Sequence, residues 1–382
     1  MARRWPGRGG GSRREPRPNP SLPTKTKPFG FLSNICMSLS HLFYDDYSEG
    51  AHPRILQAFL RTNLQPERGY GIDSFALEAE NLIKGKIRKP EAKVYFVSSG
   101  THANLICTSS LLKPYESVIA PDNGHINVHE AGAIEATGHK INVVPGIAGK
   151  LTSEAIRKII VTHTDEHTVK PRVVYISQAT ELGTVYSKKE LQELYNTCKE
   201  NGLYLYIDGA RIGNAVMAKN VDLDLSDMAN LCDIFYIGGT KNGALLGEAI
   251  VIVNPNLQEN FRHHLRQRGG LLAKARAVTV QFVELFKDNL YLENAKHAND
   301  MAQKLADGIK ECGYYFLNEP VTNQIFPILP NAIIAKLEKK FGFYTWSEAP
   351  STPDSSIVRL VASWATTEAV VQEFIKELKQ LS

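Results

Sequence analysis

From residue 94 to about 253, short apolar runs alternate with amphipathic stretches. The runs are VYFV (94–97), SVIA (117–120), KINVV (140–144), RVVYIS (172–177), LYLYID (203–208), DIFYI (233–237) and AIVIV (249–253). Their length and β-branched content suit strands covered on both faces. Between several of them lie windows of helical period. SKKELQELYNTCKENG opens on Ser187, has Glu190 three residues on as a capping box, and closes on Gly202. Strands spaced by helices predict an α/β fold built on a mostly parallel, seven-stranded sheet with helices on both faces. Two long helical windows follow, 257–287 and 291–311, and then the pattern changes. A smaller α+β part is expected at the C-terminus, with strand candidates near 322–327, 341–345 and 357–361 and a last helix over 366–380. The division this suggests is a tail over 1–40, a large domain over 41–290 and a small one over 291–382. No internal repeat is visible.

The chain has 382 residues, 43% of them hydrophobic, enough to bury a large core. Its formal charge of +4 is unevenly spread. Residues 1–36 carry eight Lys/Arg and one acid, so the totals of 44 basic and 40 acidic residues fall to 36 and 39 for the rest. A body without basic surplus argues against nucleic-acid binding. The tail, rich in Gly, Pro and Ser, is expected to be disordered and dispensable, with a start at Met37 sufficient. Its arginines leave a mitochondrial address open, although its prolines oppose an amphipathic helix. Five scattered cysteines without a Cys-x-x-Cys pair suggest reduced thiols and a cytoplasmic protein. No apolar stretch approaches the roughly 18 residues of a membrane span.

Open sheets of this kind bind ligands beyond the carboxyl ends of their strands. After VYFV, the residues Ser98, Ser99, Gly100 and Thr101 offer hydroxyls and backbone N–H groups at a helix start, which fits either an anion cup or an ordinary N-cap. There is no Gly-Lys-Ser/Thr loop and no G-x-G-x-x-G. Asp208 ends a buried strand and needs a cation, either Arg211 or a protonated ring nitrogen. Lys241 lies in the glycine-rich turn GGTKNGALLG, where a solvated lysine and a desolvated nucleophilic amine are both admissible. His125/His129 and His163/His167 share a spacing of four, but nothing completes a metal site, and none is expected. An anion cup, an imidazole able to stack, a strand-end acid and a lysine are the parts that pyridoxal phosphate requires.

The ordered set YSEGAHP, GYGIDSFALEAE, SSGTHANL, DNGHINVHEAGAIEATGHK, TELGTVYS, IDGARIGNA, GGTKNGALLGEA and VRLVASW resembles the threonine aldolase/β-eliminating lyase family. The resemblance runs from about residue 44 to the C-terminus. It implies the aminotransferase-like fold of pyridoxal phosphate enzymes and cleavage of a β-hydroxy-α-amino acid such as threonine to glycine and an aldehyde. A β-eliminating or transaminating enzyme on the same cofactor is the alternative, and a non-catalytic binder of it the second. In the implied roles, Lys241 forms the Schiff base, Asp208 holds the pyridine nitrogen and His125 stacks on the ring. Ser99, Gly100 and Thr101 take the phosphate, with a basic contact from Arg268 or Lys274. Arg359 with Ser48 and Arg211 holds the amino-acid carboxylate, and Tyr70 reaches the site of a neighbouring subunit in a homodimer or homotetramer. The chain departs from the family's familiar pattern at QATEL, where Glu181 falls at a histidine's place. That glutamate is the candidate to take the β-hydroxyl proton.

Overall fold

All seven apolar runs are strands of one sheet. In the computed structural model, which describes residues 41–350 and 352–382, they are β1 (Lys93–Val97), β2 (Glu116–Pro121), β3 (Ile141–Val144), β4 (Lys170–Ser177), β5 (Tyr204–Asp208), β6 (Ile234–Gly238) and β7 (Glu248–Ile252). The basic tail and the start expected at Met37 lie outside the described residues. Strand order is β1-β7-β6-β5-β4-β2-β3. The ladders joining β6, β5, β4, β2 and β3 are all parallel, whereas β7 runs against both β1 and β6.

Alternation along the strands divides the core in two. Leu205, Ile207, Phe235, Ile237 and Val251 face one layer of helices, and Tyr206, Ile234, Tyr236 and Ile250 face the other. Each such side chain contributes about 1.5–3 kcal/mol by leaving water. The capping box forms as expected: the Ser187 hydroxyl accepts the Glu190 N–H, the Glu190 carboxylate accepts the Ser187 N–H, and the helix Lys188–Glu200 follows. Two further helices, Pro53–Thr62 and Ser74–Ile87, precede the sheet, capped by the side chains of His52 and Asp73. The window over 257–287 is not one helix. It breaks into Phe261–Gln267 and Arg276–Phe286, because Gly269 turns the backbone to φ +80° and Gly270 seats against Ile106, where a Cβ would lie 2.9 Å away.

The C-terminal part is smaller and has its own sheet. Ser355–Val361 pairs antiparallel with Ile328–Pro330, Tyr344–Glu348 and Gln324–Ile325, and the helix Glu368–Leu381 packs over it. The long helix Leu290–Glu311 serves two cores, with Leu290 and Tyr291 in the larger and Met301, Leu305 and Ile309 in the smaller. Phe43, far away in sequence, also belongs to the smaller core. Among the described residues no helix is long and apolar enough to cross a membrane.

Candidate active site

Parallel strands bring their carboxyl ends to one edge, and the chemistry-bearing residues collect there. Two adjoining cavity lobes of about 300 and 270 Å³ share Tyr47, His125, Glu181, Arg211 and Lys241. The inner lobe adds Ser98–Thr101, Asp208 and Glu248, and the outer adds His129, Trp346 and Arg359. A larger cleft of about 430 Å³ opens beside Tyr186 and Val321. None of its lining side chains has a buried polar atom lacking a partner, whereas Glu181 Oε2 and Arg359 Nε, in the smaller lobes, do.

Ser99 caps the helix Gly100–Leu111, its hydroxyl accepting the His102 N–H, so the residues after β1 present a positive helix end to the inner lobe. Gly100 leaves room there, since a Cβ would crowd the Tyr236 hydroxyl at 3.0 Å. Asp208 ends β5, buried, on the face already occupied by Tyr206. Its Oδ2 accepts the Tyr175 hydroxyl at 2.7 Å and Asn104 Nδ2 at 3.0 Å, and its Oδ1 accepts the Tyr236 hydroxyl and the Ala210 N–H. Burial raises its pKa, but the His125 charge and these hydrogen bonds outweigh burial and hold it below the usual carboxylate range. With all its lone pairs engaged, Asp208 offers a cationic ring its charge.

Lys241 follows β6 in a short 3₁₀ turn, with its Nζ 5.9 Å from the centre of the Tyr47 ring. Burial, then Arg211, lowers its pKa, while Asp46, Asp208 and Glu248 resist. His125 Nδ1 meets Glu130 Oε1 at 2.9 Å. Burial works against the imidazolium, yet that bond and the Asp208 charge leave its pKa raised. Glu181 Oε1 accepts the Ser177 hydroxyl at 2.6 Å and the His125 N–H at 3.1 Å, leaving Oε2 without a partner. Burial raises its pKa, Ser177 opposes the rise and Asp208 adds to it.

Arg211 is tied to the N-terminal segment: Nε and Nη2 take the Asp46 carboxylate at 2.7 and 3.0 Å, both residues buried. Arg359, on the central strand of the small sheet, lies over Trp346 at 5.7 Å, and burial followed by Arg211 lowers its pKa. Four further sequence candidates lie outside both lobes. Ser48 is exposed and donates to Asp45 at 2.9 Å, Tyr70 is exposed beneath the Arg266 guanidinium, and Lys274 is exposed. The Arg268 carbonyl meets His102 Nε2 at 2.9 Å.

Sequence reasoning passed over Asp46, Tyr47, Glu130, Trp346, Glu248 and the phenols of Tyr175, Tyr206 and Tyr236. The phenols left a signal, three tyrosines inside otherwise apolar strands. Glu248 left one too, an acid directly before AIVIV. Trp346 left none.

A strand-end acid, a lysine after the next strand and a hydroxyl-lined helix start at one edge of the sheet are the parts that a pyridoxal phosphate site requires. Residues 54–331 match the family described as beta-eliminating lyase. The chain is 35% identical over 345 residues to a low specificity L-threonine aldolase of a Pseudomonas species, covering 89% of this chain and 97% of that one. A threonine aldolase structure from Leishmania major superposes with a TM-score of 0.87 at 45% identity, over 89% of this chain and 99% of the other. A structure of SPT with PLP shares the fold alone, with a TM-score of 0.66 at 15% identity over 89% and 86% of the two chains. The chain belongs to the beta-eliminating lyase family, alongside the threonine aldolases.

Proposed function

We propose that this protein cleaves a β-hydroxy-α-amino acid of the threonine kind to glycine and an aldehyde, with pyridoxal phosphate as cofactor. The observation that carries the reading is the joining of Lys241, Asp208 and the helix start at 98–101 in one lobe, with Arg359 in the next. The residues fit the cofactor. Ser99, Gly100 and Thr101 would hold its phosphate at the helix end, Asp208 its ring nitrogen, His125 its ring face and Lys241 its aldehyde carbon. When bound, the cofactor draws off the electrons of the bond that breaks at Cα. Arg359, with a buried Nε lacking a partner, would take the amino-acid carboxylate, and Arg211, braced by Asp46, would order the site beside it. Glu181 would accept the β-hydroxyl proton on Oε2, since Ser177 and the His125 N–H already hold Oε1.

The same reading extends to assembly and place. A homodimer or homotetramer with Tyr70 serving a neighbour's site is supported by the exposed Tyr70 and by Leu60, Leu64 and Leu77, which are 80%, 92% and 60% exposed. Arg268 or Lys274 would supply a basic contact to the phosphate, and Ser48 would join Arg359 at the carboxylate. Cytoplasmic placement is supported by the scattered cysteines, and a large and a small domain by the two cores that the helix Leu290–Glu311 joins.

The test is chemical. Wild-type protein loaded with pyridoxal phosphate is expected to be yellow, Lys241→Ala is expected to form no lysine-linked cofactor, and borohydride reduction of the wild type followed by peptide mapping should tag Lys241. A tag on another lysine would refute the assignment. Among products, glycine plus aldehyde supports the aldolase, and a keto acid plus ammonia would mean β-elimination.

A further inference from the structure

Glu248 stands at the start of the strand that runs against its neighbours. Because β7 is antiparallel to β1 and β6, its first residue reaches the edge at which they end, and Glu248 pairs with Val97 and Gly238. The carboxyl thus comes between the helix start at 98–101 and the turn carrying Lys241, and it lines the inner lobe at 5% exposure. Its Oε2 accepts the Gly239 N–H at 2.8 Å, and its Oε1 accepts the Thr240 hydroxyl at 2.9 Å. Thr240 Oγ1 in turn accepts the Gly247 N–H at 3.0 Å, which closes the link from strand to turn. Both bonds from Glu248 land on the two residues directly before Lys241.

The geometry points to Glu248 as the positioning residue of Lys241: it fixes the turn that carries the amine, and its charge favours the protonated nitrogen. A buried carboxyl is costly. Burial pushes this one up to about 7, against the Thr240 and Gly239 bonds and the Lys241 charge, so its ionised form is available at and above neutral pH. Arg211 opposes a charge on Lys241, Asp46 and Asp208 favour it, and Tyr47, His125 and His129 stand across the lobe. Tyr236 and Tyr291 face Glu248. Of these, Tyr291 donates to the Gly238 carbonyl at 3.0 Å, and the Gly239 N–H is shared with the Gly247 carbonyl at 3.1 Å, but Glu248 is the side chain that binds both Gly239 and Thr240.

This inference rests on the reading of Lys241 as the cofactor's lysine, and the experiment separates the two. Full-length wild type, Glu248→Gln, Glu248→Ala and Thr240→Val are loaded with pyridoxal phosphate, and the visible band of the lysine-linked cofactor is followed against pH. Glu248→Gln should keep the band but shift its titration midpoint downward, since a neutral amide no longer favours the protonated nitrogen. Glu248→Ala should show the same shift with faster cofactor release. Thr240→Val, which removes one arm and leaves the carboxylate, should release cofactor faster than wild type. A purely structural role would not move the midpoint. An unshifted midpoint in Glu248→Gln overturns the proposal, as does wild-type retention in Thr240→Val. A wild type without the band overturns the Lys241 assignment and this proposal with it.

Discussion

Replacing Glu181 by glutamine isolates its proposed role as base. The amide oxygen can still accept the Ser177 hydroxyl and the His125 N–H, the two bonds that hold Oε1 at 2.6 and 3.1 Å. What disappears is proton affinity at the atom that has no partner, Oε2. One general base is worth about 10²–10⁴-fold in rate, a rise of about 2.7–5.4 kcal/mol in the barrier. Aldehyde release from L-threonine should fall by that factor in Glu181→Gln. Exchange of the glycine Cα–H in deuterated solvent needs no β-hydroxyl deprotonation and should change much less. The wild-type pH profile supplies a second reading. With the Glu181 pKa raised above 4.5, cleavage should decline as pH falls through a midpoint above that value, and this limb should vanish in Glu181→Gln. Equal losses in cleavage and exchange, together with weaker cofactor retention, would refute the argument and leave Glu181 as a brace for the loop.

Ser177→Ala removes the bond that stabilises ionised Glu181, so the acid limb of the cleavage profile should move to higher pH; an unmoved or lowered limb would break the link between the two residues. Asp46→Asn leaves Arg211 buried without its counter-charge and should cost about 3–5 kcal/mol at neutral pH in denaturant unfolding. The folded-state pKa of Asp46 is depressed below 3.8, so its contribution is present above that value and lost as pH falls through the folded pKa; the gap between wild type and Asp46→Asn should close on that side. Gly209→Ala would set a Cβ 1.8 Å from the Tyr236 carbonyl oxygen, and a loss of about 3 kcal/mol or more is expected in thermal melts. Gly50→Ala, with nothing within 4 Å, is the control that should melt like wild type.

Local rules carried the strands, the capping box at Ser187 and Glu190, and the order of cup, acid and lysine. Each depends on neighbours a few residues apart: a β-branched run needs cover on both faces, a helix start needs a hydroxyl acceptor, and a strand-end acid needs a cation. The amino-acid sequence by itself therefore determined a sheet flanked by helices and the edge at which chemistry gathers. It did not determine that β7 runs against its neighbours, because strand direction is chosen by pairing across space. Only that reversal brings Glu248 beside the Lys241 turn, with Val97 and Gly238 as its register partners. Nor did it give Arg211 its partner. Asp46 lies 165 positions earlier in the chain and meets the guanidinium only when the N-terminal segment reaches the edge of the sheet. Trp346 and Arg359 arrive from the small sheet, whose short strands carry a weak period. Pairing across space decided the β7 reversal and the small sheet, and long-range burial of charge decided the Asp46–Arg211 pair, since an acid or a guanidinium taken out of water must find its counterpart wherever the fold brings one.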